Sequence, residues 1–276
     1  MILRTAMALL SAALIAFAAA PGLAQEQDST PAAFAKALAS LTERLGTIET
    51  GPDIEATDTA ANAADMALIE QAFDVLGTPA FPLDGLATFE SVCEPINRLS
   101  VRHLLDGLSA FARPPGSPPP TPADTGVMVS KVRVLQLRNA ARYPDEITVL
   151  GGGVMRCMVK HFPALTTFLA DLPEAELTPT RLKGADGMRR GVAEALAGFM
   201  ISLRDPTISP ANKARLNAYV AEVAAPLAAA LTPSMRAELA ATLANLPPTQ
   251  DAEALATTEL VQAALADTTC EGLCRY

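Results

Sequence analysis

The stretch from Pro144 to Leu172, PDEITVLGGGVMRCMVKHFPALTTFLADL, holds the longest apolar stripe of the chain beyond its N-terminus. Apolar residues recur in it every three or four positions, the spacing of one helix face: Ile147, Leu150, Val154, Met158, Phe162, Leu165 and Leu169. The stripe predicts a central packing helix, with a second segment beginning at Pro163. Three consecutive glycines, 151–153, would allow another element to approach it closely or would kink it.

Helical spacing of this kind continues on both sides of the central stretch, broken by Pro, Gly, Ser and Thr turns. The segment from Gly126 to Arg142 is the one ambiguous case, because its centre, KVRVLQLR, alternates like a strand. Met128, Val132 and Leu135 also fit helical spacing, as do Val127, Val134 and Ala141, and the sequence offers no second convincing strand to pair with this one. The chain is therefore predicted to be an all-α, irregular bundle of about nine or ten helices, stapled by disulfides.

Helix starts and interruptions can be read from the same residues. Ser209 and Thr232 each precede a proline, which is the pattern of a capped helix whose first position is Pro. A helix beginning at Thr178 or Thr180 is also expected, and Asp124 or Thr125 is expected to cap the segment that follows. Three further prolines stand inside helical patterns and predict new starts or kinks: Pro95, Pro163 and Pro226.

Composition shifts divide the chain into four parts. The stretch RPPGSPPPTP, residues 113–122, cannot form a helix interior or a central strand and predicts an extended surface connector. The expected parts are a signal peptide (1–24), an N-terminal helical layer (25–112), the Pro-rich connector (113–125) and a C-terminal helical bundle (126–276).

The N-terminus has the pattern of an export signal. Arg4 precedes an apolar run from Ala6 to Ala20, which is too short for a comfortable membrane span. Pro21 and the small residues that follow predict cleavage after Ala24. We therefore expect a periplasmic or secreted protein with no transmembrane segment after cleavage.

Four cysteines in an exported chain predict two disulfides. We pair Cys93 with Cys157, which would join the two sides of the proline connector, and Cys270 with Cys274, which would close a small loop at the C-terminus. On the chain-entropy model the long loop contributes about 4 kcal/mol to stability and the short one about 2.

A metal site is the alternative interpretation of the two cysteine-bearing segments. Cys157 and His161 are four positions apart and would share a helix face, with Met158 beside them and His103 in the other cysteine-bearing segment. Thiolate, imidazole and thioether ligands suit copper or zinc. This set requires free thiols, so the disulfide interpretation is preferred, and no cofactor is expected.

No sequence pattern predicts catalysis. The chain has no G-x-S-x-G elbow and no H-E-x-x-H, and its glycine triplet lacks the Lys-Ser/Thr of a phosphate loop. The absence of Trp and the three Tyr residues disfavour a sugar site. A net charge of −9, with no basic cluster apparent to offset it, disfavours nucleic acid.

The remaining class is a binding or scaffolding protein without catalytic activity, with a protein or peptide partner in the periplasm. Four apolar residues could line a groove between helices: Leu104, Phe111, Phe162 and Phe168. The alternative function is binding of a small ligand or of a metal at the Cys157/His161 helix face.

Overall fold

A computed structural model describes residues 31–45, 59–83, 86–111, 116–119, 121–266, 269–270 and 272–276. The regular structure in these ranges is helical, as predicted. Its α-helices are α1 (Pro31–Leu45), α2 (Thr59–Val75), α3 (Leu86–Leu104), α4 (Pro122–Arg142), α5 (Pro144–Asp171), α6 (Pro179–Ser202), α7 (Pro210–Ala230), α8 (Pro233–Ala244) and α9 (Ala252–Ala266). The expected signal peptide, 1–24, lies outside the described residues, as do 113–115 and 120 of the expected connector.

Where the structure describes the cap residue, a threonine or serine followed by proline starts four of these helices. Thr178, Ser209 and Thr232 each accept a hydrogen bond from the backbone N–H three residues on. The caps at Ser209 and Thr232 were predicted, and Thr178 is one of the two starts predicted for α6. The prediction for α4 was wrong by a few residues. Its cap is Thr121, and Asp124 is the third helical residue, returning a bond to the backbone N–H of Thr121. This reciprocal pair extends α4 into the stretch expected to be connector.

The prolines inside helical patterns do not divide the helices. Pro95, Pro163 and Pro226 lie within α3, α5 and α7, and each helix is continuous through its proline. Proline removes one backbone hydrogen bond and costs about 3 kcal/mol in a helix interior. Buried apolar residues on both sides of each proline, such as Phe162 and Leu165 around Pro163, offset that cost by holding both halves in the core.

The helix α5 is the centre of the fold, as its sequence predicted. Its N-terminal half, with Val149, Leu150 and Cys157, packs in one core cluster with α1, α2 and α3. Its C-terminal half, with Phe162 and Leu169, packs in a second cluster with α6, α7, α8, α9 and the C-terminal turn Gly272–Arg275. Both clusters are therefore built on the same helix.

Both predicted disulfides are confirmed. Cys93 of α3 is bonded to Cys157 of α5, with Cα atoms 5.7 Å apart and both residues fully buried. Cys270 is bonded to Cys274 across a Cα distance of 5.3 Å. The first bond fixes α3 on α5, and the second closes a loop at the C-terminus.

The C-terminal loop is held by two buried arginines. Arg189 of α6 donates to the carbonyl of Leu273 at 2.6 Å, and Arg236 of α8 donates to the carbonyl of Thr269 at 3.0 Å. Leu273 itself is buried in the second core cluster. The tail is thus part of the packed structure.

Within the described ranges, no helix combines the length and the apolar character needed to cross a bilayer.

Candidate interaction site

The glycine triplet of α5 receives three aromatic rings. The ring of Tyr219, from α7, lies where a Cβ of Gly152 would be, and the ring of Phe73, from α2, stands 2.5 Å from a Cβ built on Gly153. Phe199 of α6 lies 3.4 Å from a Cβ built on Gly151. The prediction that the glycine triplet allows other elements to approach α5 closely is correct. The approaching groups are rings from three different helices rather than one helix backbone.

Arg156, one turn further along α5, lies between two of these rings. Its guanidinium carbon is 5.8 Å from the Phe73 ring centre and 5.4 Å from that of Tyr219. Its nitrogens form ion pairs with Asp74 at 3.0 Å and with Glu222 at 2.5 Å. A buried guanidinium is stable here because two carboxylates and two ring faces surround it.

This polar network joins α2, α5 and α7. The phenol of Tyr219 donates to Glu70 at 2.5 Å, and burial together with that bond raises the pKa of Tyr219 well above its usual value. Lys160 donates to the carbonyls of Phe73 and Leu76 at the end of α2. A phenol that is neutral and donating is not poised to act as a base.

A second polar cluster fixes the position of α4. Asp106 is fully buried just after α3, and its carboxylate accepts from Arg102 at 3.3 Å, Arg142 at 3.1 Å and Tyr143 at 2.8 Å. Arg142 ends α4, and Tyr143 joins it to α5. One carboxylate therefore connects the end of α3 to the junction of α4 and α5.

Backbone carbonyls complete this attachment. Asn139 of α4 is buried and donates to the carbonyls of Leu104 and Asp106 at 3.0 and 2.9 Å. Arg138 donates to the carbonyl of Asp106 at 3.0 Å. Gly107 supports the turn with φ of +82°, a conformation that a Cβ would strain. The C-terminal half of α4 is thus held at several points.

The N-terminal half of α4 has little such support. Every residue from 121 to 134 is exposed or half-buried, and the buried residues of the helix are Leu135 and Asn139. The face that turns toward the protein contains Met128, Val132 and Leu135, which the sequence had grouped together. About three turns of α4 are therefore largely in solvent.

The opposite side of α4 carries a second apolar row, which we call the outer stripe. Its six residues are spaced alternately by four and three positions, and all are exposed: Ala123, Val127, Ser130, Val134, Leu137 and Ala141. The exposed fractions of Val127, Val134 and Leu137 are 56%, 68% and 66%. The outer stripe contains no charged residue.

Basic side chains border the outer stripe. On a helical projection, Lys131 and Arg138 lie along one edge and Arg133 lies along the other. The Lys131 ammonium is 5.7 Å from the ring centre of Phe111, which closes one side of a concavity of about 610 Å³ beside the stripe. Asp124 is the sole acidic residue of α4, and its carboxylate accepts from the N–H and hydroxyl of Thr121.

A separate apolar groove of about 480 Å³ runs between α3, α5 and α6. Leu104 and Met158 line it together with Phe199, and Gly187, Gly191 and Gly198 leave the α6 side open. The groove has depth because those three positions carry no side chain.

The four predicted groove residues do not come together. Leu104 lines the α3–α5–α6 groove, and Phe111 lies beside the outer stripe. Phe162 is 4% exposed and belongs to the core, whereas Phe168 is 38% exposed on the far part of α5. Leu104 and Phe111 thus mark two different surfaces.

The four residues of the alternative metal set, Cys157, His161, Met158 and His103, each have a different environment. Cys157 is bonded to Cys93. His161 is fully buried, Met158 lines the groove, and His103 contacts the carbonyl of Leu99 through Nδ1 at 2.8 Å. No cluster of three or more His, Cys, Asp or Glu side chains suited to a metal occurs in the described ranges. Cys157 could serve as a ligand only in a reduced form of the protein.

No family model matches the chain, and neither the curated proteins nor the solved structures include a match to it.

Sequence reasoning missed the exposure of the outer stripe. Val127, Val134 and Ala141 were recognised as helically spaced, but periodicity does not show which of two apolar rows is covered. The sequence did contain a signal for this surface, because α4 has apolar rows on two sides. Each row would need a neighbouring element to cover it.

Proposed function

We propose that this protein is a binding and scaffolding module that docks a protein partner along the outer stripe of α4. The single observation that carries this proposal is the continuous, uncharged and exposed row from Ala123 to Ala141. Large apolar side chains left in solvent over several turns of one helix are typical of an interaction surface.

The energetics of α4 support the same function. Its first half contains Val127, Val129, Val132 and Val134, and β-branched residues are weak helix formers. Most helical stability in proteins comes from packing of an apolar face, and short isolated helices are marginal in water. A partner on the outer stripe would supply packing that the first half of α4 lacks in the isolated chain.

The attachment of α4 favours a preformed docking surface. Asp106, Asn139 and Arg142 hold the C-terminal half of the helix on α3 and α5 through buried hydrogen bonds. A surface fixed before binding loses less entropy when the partner docks. The C-terminal half of α4, with Val134 and Leu137, is therefore held in place before a partner docks.

The proposed site of action is the periplasm or the extracellular space. The N-terminal export pattern with cleavage after Ala24 supports this location, and so do two disulfides, which persist in oxidising compartments. The partner is accordingly a protein exposed in the same compartment.

Co-purification from the producing cells tests the proposal. Native mass spectrometry of the wild-type protein should show a stoichiometric protein partner. The double variant Val134→Glu/Leu137→Glu, which places charge in the outer stripe, should lose it. The matched control Leu255→Glu/Leu260→Glu charges two exposed residues of α9 and should retain it. Retention of the partner by the α4 variant would contradict the proposal.

A further inference from the structure

Resting on the proposed function, we infer that the partner binds the outer stripe with an amphipathic helix whose apolar row is bordered by Asp and Glu side chains. The inference follows from the spacing of the stripe and from the charges on its two edges.

The spacing of the outer stripe specifies a helix as its partner. Alternation by four and three positions keeps one row in line with a second helix over many turns, as in coiled-coil packing. Ala123, Ser130 and Ala141 are small and are interspersed among the larger Val127, Val134 and Leu137. Large side chains of a partner helix can therefore enter the gaps, and the two backbones can approach closely.

The charge on the edges specifies an acidic partner. Lys131 and Arg138 on one edge and Arg133 on the other would stand beside the flanks of a docked helix. The one carboxylate of α4, that of Asp124, is engaged by the N–H and hydroxyl of Thr121 at the start of the helix. Carboxylates on the partner would meet cations on both sides of the interface, whereas basic residues would be repelled.

Two other occupants fit less well. An α4–α4 pair from two copies of this chain would place Lys131, Arg133 and Arg138 against the same cations of the second copy. An anionic membrane would suit the cations, but the stripe has no Trp or Phe and three of its six residues are Ala or Ser.

The test uses two synthetic helical peptides of 21 residues, the length of α4. Both have Leu and Ala in the apolar row, and they differ only in carrying Glu or Lys at the flanking positions. Fluorescence anisotropy should show that the purified protein binds the Glu peptide at least about tenfold more tightly than the Lys peptide. The difference should shrink in 1 M salt, which screens exposed charges over about 3 Å.

A charge-swap variant makes the test specific. Lys131→Glu/Arg133→Glu should reverse the preference toward the Lys peptide, because both substitutions lie at the edges of the stripe and leave the buried contacts of α4 in place. Val134→Glu/Leu137→Glu should abolish binding of either peptide. Equal binding of the two peptides by the wild-type protein, or an unchanged preference in the swap variant, would overturn the inference.

The remaining outcomes separate this inference from the proposed function. Suppose that the wild-type protein binds both peptides equally, while Val134→Glu/Leu137→Glu still fails to retain the native partner. That result overturns the acidic-helix inference alone. Sedimentation of the wild-type protein as a dimer that the same variant makes monomeric would identify a second copy as the occupant and overturn it. So would binding to phosphatidylglycerol vesicles that depends on Val134 and Leu137. A native partner that the α4 variant retains overturns the proposed function itself.

Discussion

The phenol of Tyr143 donates a 2.8 Å hydrogen bond to the carboxylate of Asp106, and both residues are buried where α3, α4 and α5 meet. The same carboxylate binds the buried Arg102 and the partly exposed Arg142. This cluster sets the direction in which α4 leaves the body of the protein. The docking surface proposed for α4 therefore depends on the integrity of the cluster.

Asp106→Asn should lower the free energy of unfolding by about 3–5 kcal/mol, because it removes the charge of a carboxylate paired with the buried Arg102. Tyr143→Phe should cost about 1.5–3 kcal/mol through loss of a bond to a charged acceptor. Urea unfolding followed by circular dichroism measures both. The control is Glu94→Gln, which removes an exposed ion pair with Arg98 and should change stability by less than about 1 kcal/mol. Equal effects at Asp106 and Glu94 would contradict a structural role for the cluster.

Gly152→Ala should destabilise the protein by about 1–3 kcal/mol, because its Cβ would overlap the Tyr219 ring. That ring cannot move freely, since its phenol is bonded to Glu70. Gly184→Ala in α6 is the matched control, with open space around its Cβ. It should stabilise the protein by about 0.5–1 kcal/mol, the usual helical preference for Ala. Thermal unfolding compares the two, and stabilisation by both would show that no ring occupies the triplet.

Stability should decline as pH falls through about 6.5, because burial lowers the pKa of His103 below its ordinary value of 6.5. Its hydrogen bond with the carbonyl of Leu99 and the charge of Asp106 oppose this effect, whereas Arg102 adds to it. The folded state thus binds fewer protons at this site than the unfolded chain does. The contribution is present in full above the unfolded pKa and is lost as the pH falls below it.

The variant His103→Asn isolates this pH dependence. The quantity compared is the slope of unfolding free energy against pH between about pH 7 and about pH 5.5, rather than the stability at one pH. The slope should be smaller in the variant. An unchanged slope would show that His103 titrates normally in the folded protein.

The two disulfides should contribute unequally to the free energy of unfolding. Cys93→Ala/Cys157→Ala opens a loop with a sequence separation of 64 and should cost about 4 kcal/mol, whereas Cys270→Ala/Cys274→Ala, with a separation of 4, should cost about 2. Denaturant unfolding of the two variants gives the comparison. A larger loss from the C-terminal pair would show that the loop held by Arg189 and Arg236 contributes more through packing than through chain entropy.

Much of the fold could be predicted from local signals. The central helix, the Cys270–Cys274 pair and the Ser and Thr caps follow from spacing and residue type, which act over a few positions. The continuity of α5 through Pro163 did not follow, because it depends on burial of Phe162 and Leu165 by helices far away in the sequence. Tertiary packing there outweighs the local preference to break.

The candidate site was less accessible to sequence reasoning. Leu104 and Phe111 both lie at surface concavities, but on different ones, and Phe162 is core. Whether an apolar residue lines a groove depends on where the other helices pack. The spacing of residues along one helix does not give those positions. The outer stripe was visible as a row, whereas its exposure required the positions of α3 and α5.

Site-specific photo-cross-linking in the producing cells tests whether α4 is the surface that contacts a partner protein. Benzoylphenylalanine replaces Val134 in the outer stripe in one strain and Leu255, an exposed residue of α9, in the other. We expect a discrete higher-mass adduct from position 134 and none from position 255. No adduct from position 134, or the same adducts from both positions, would contradict the claim that α4 is the docking surface.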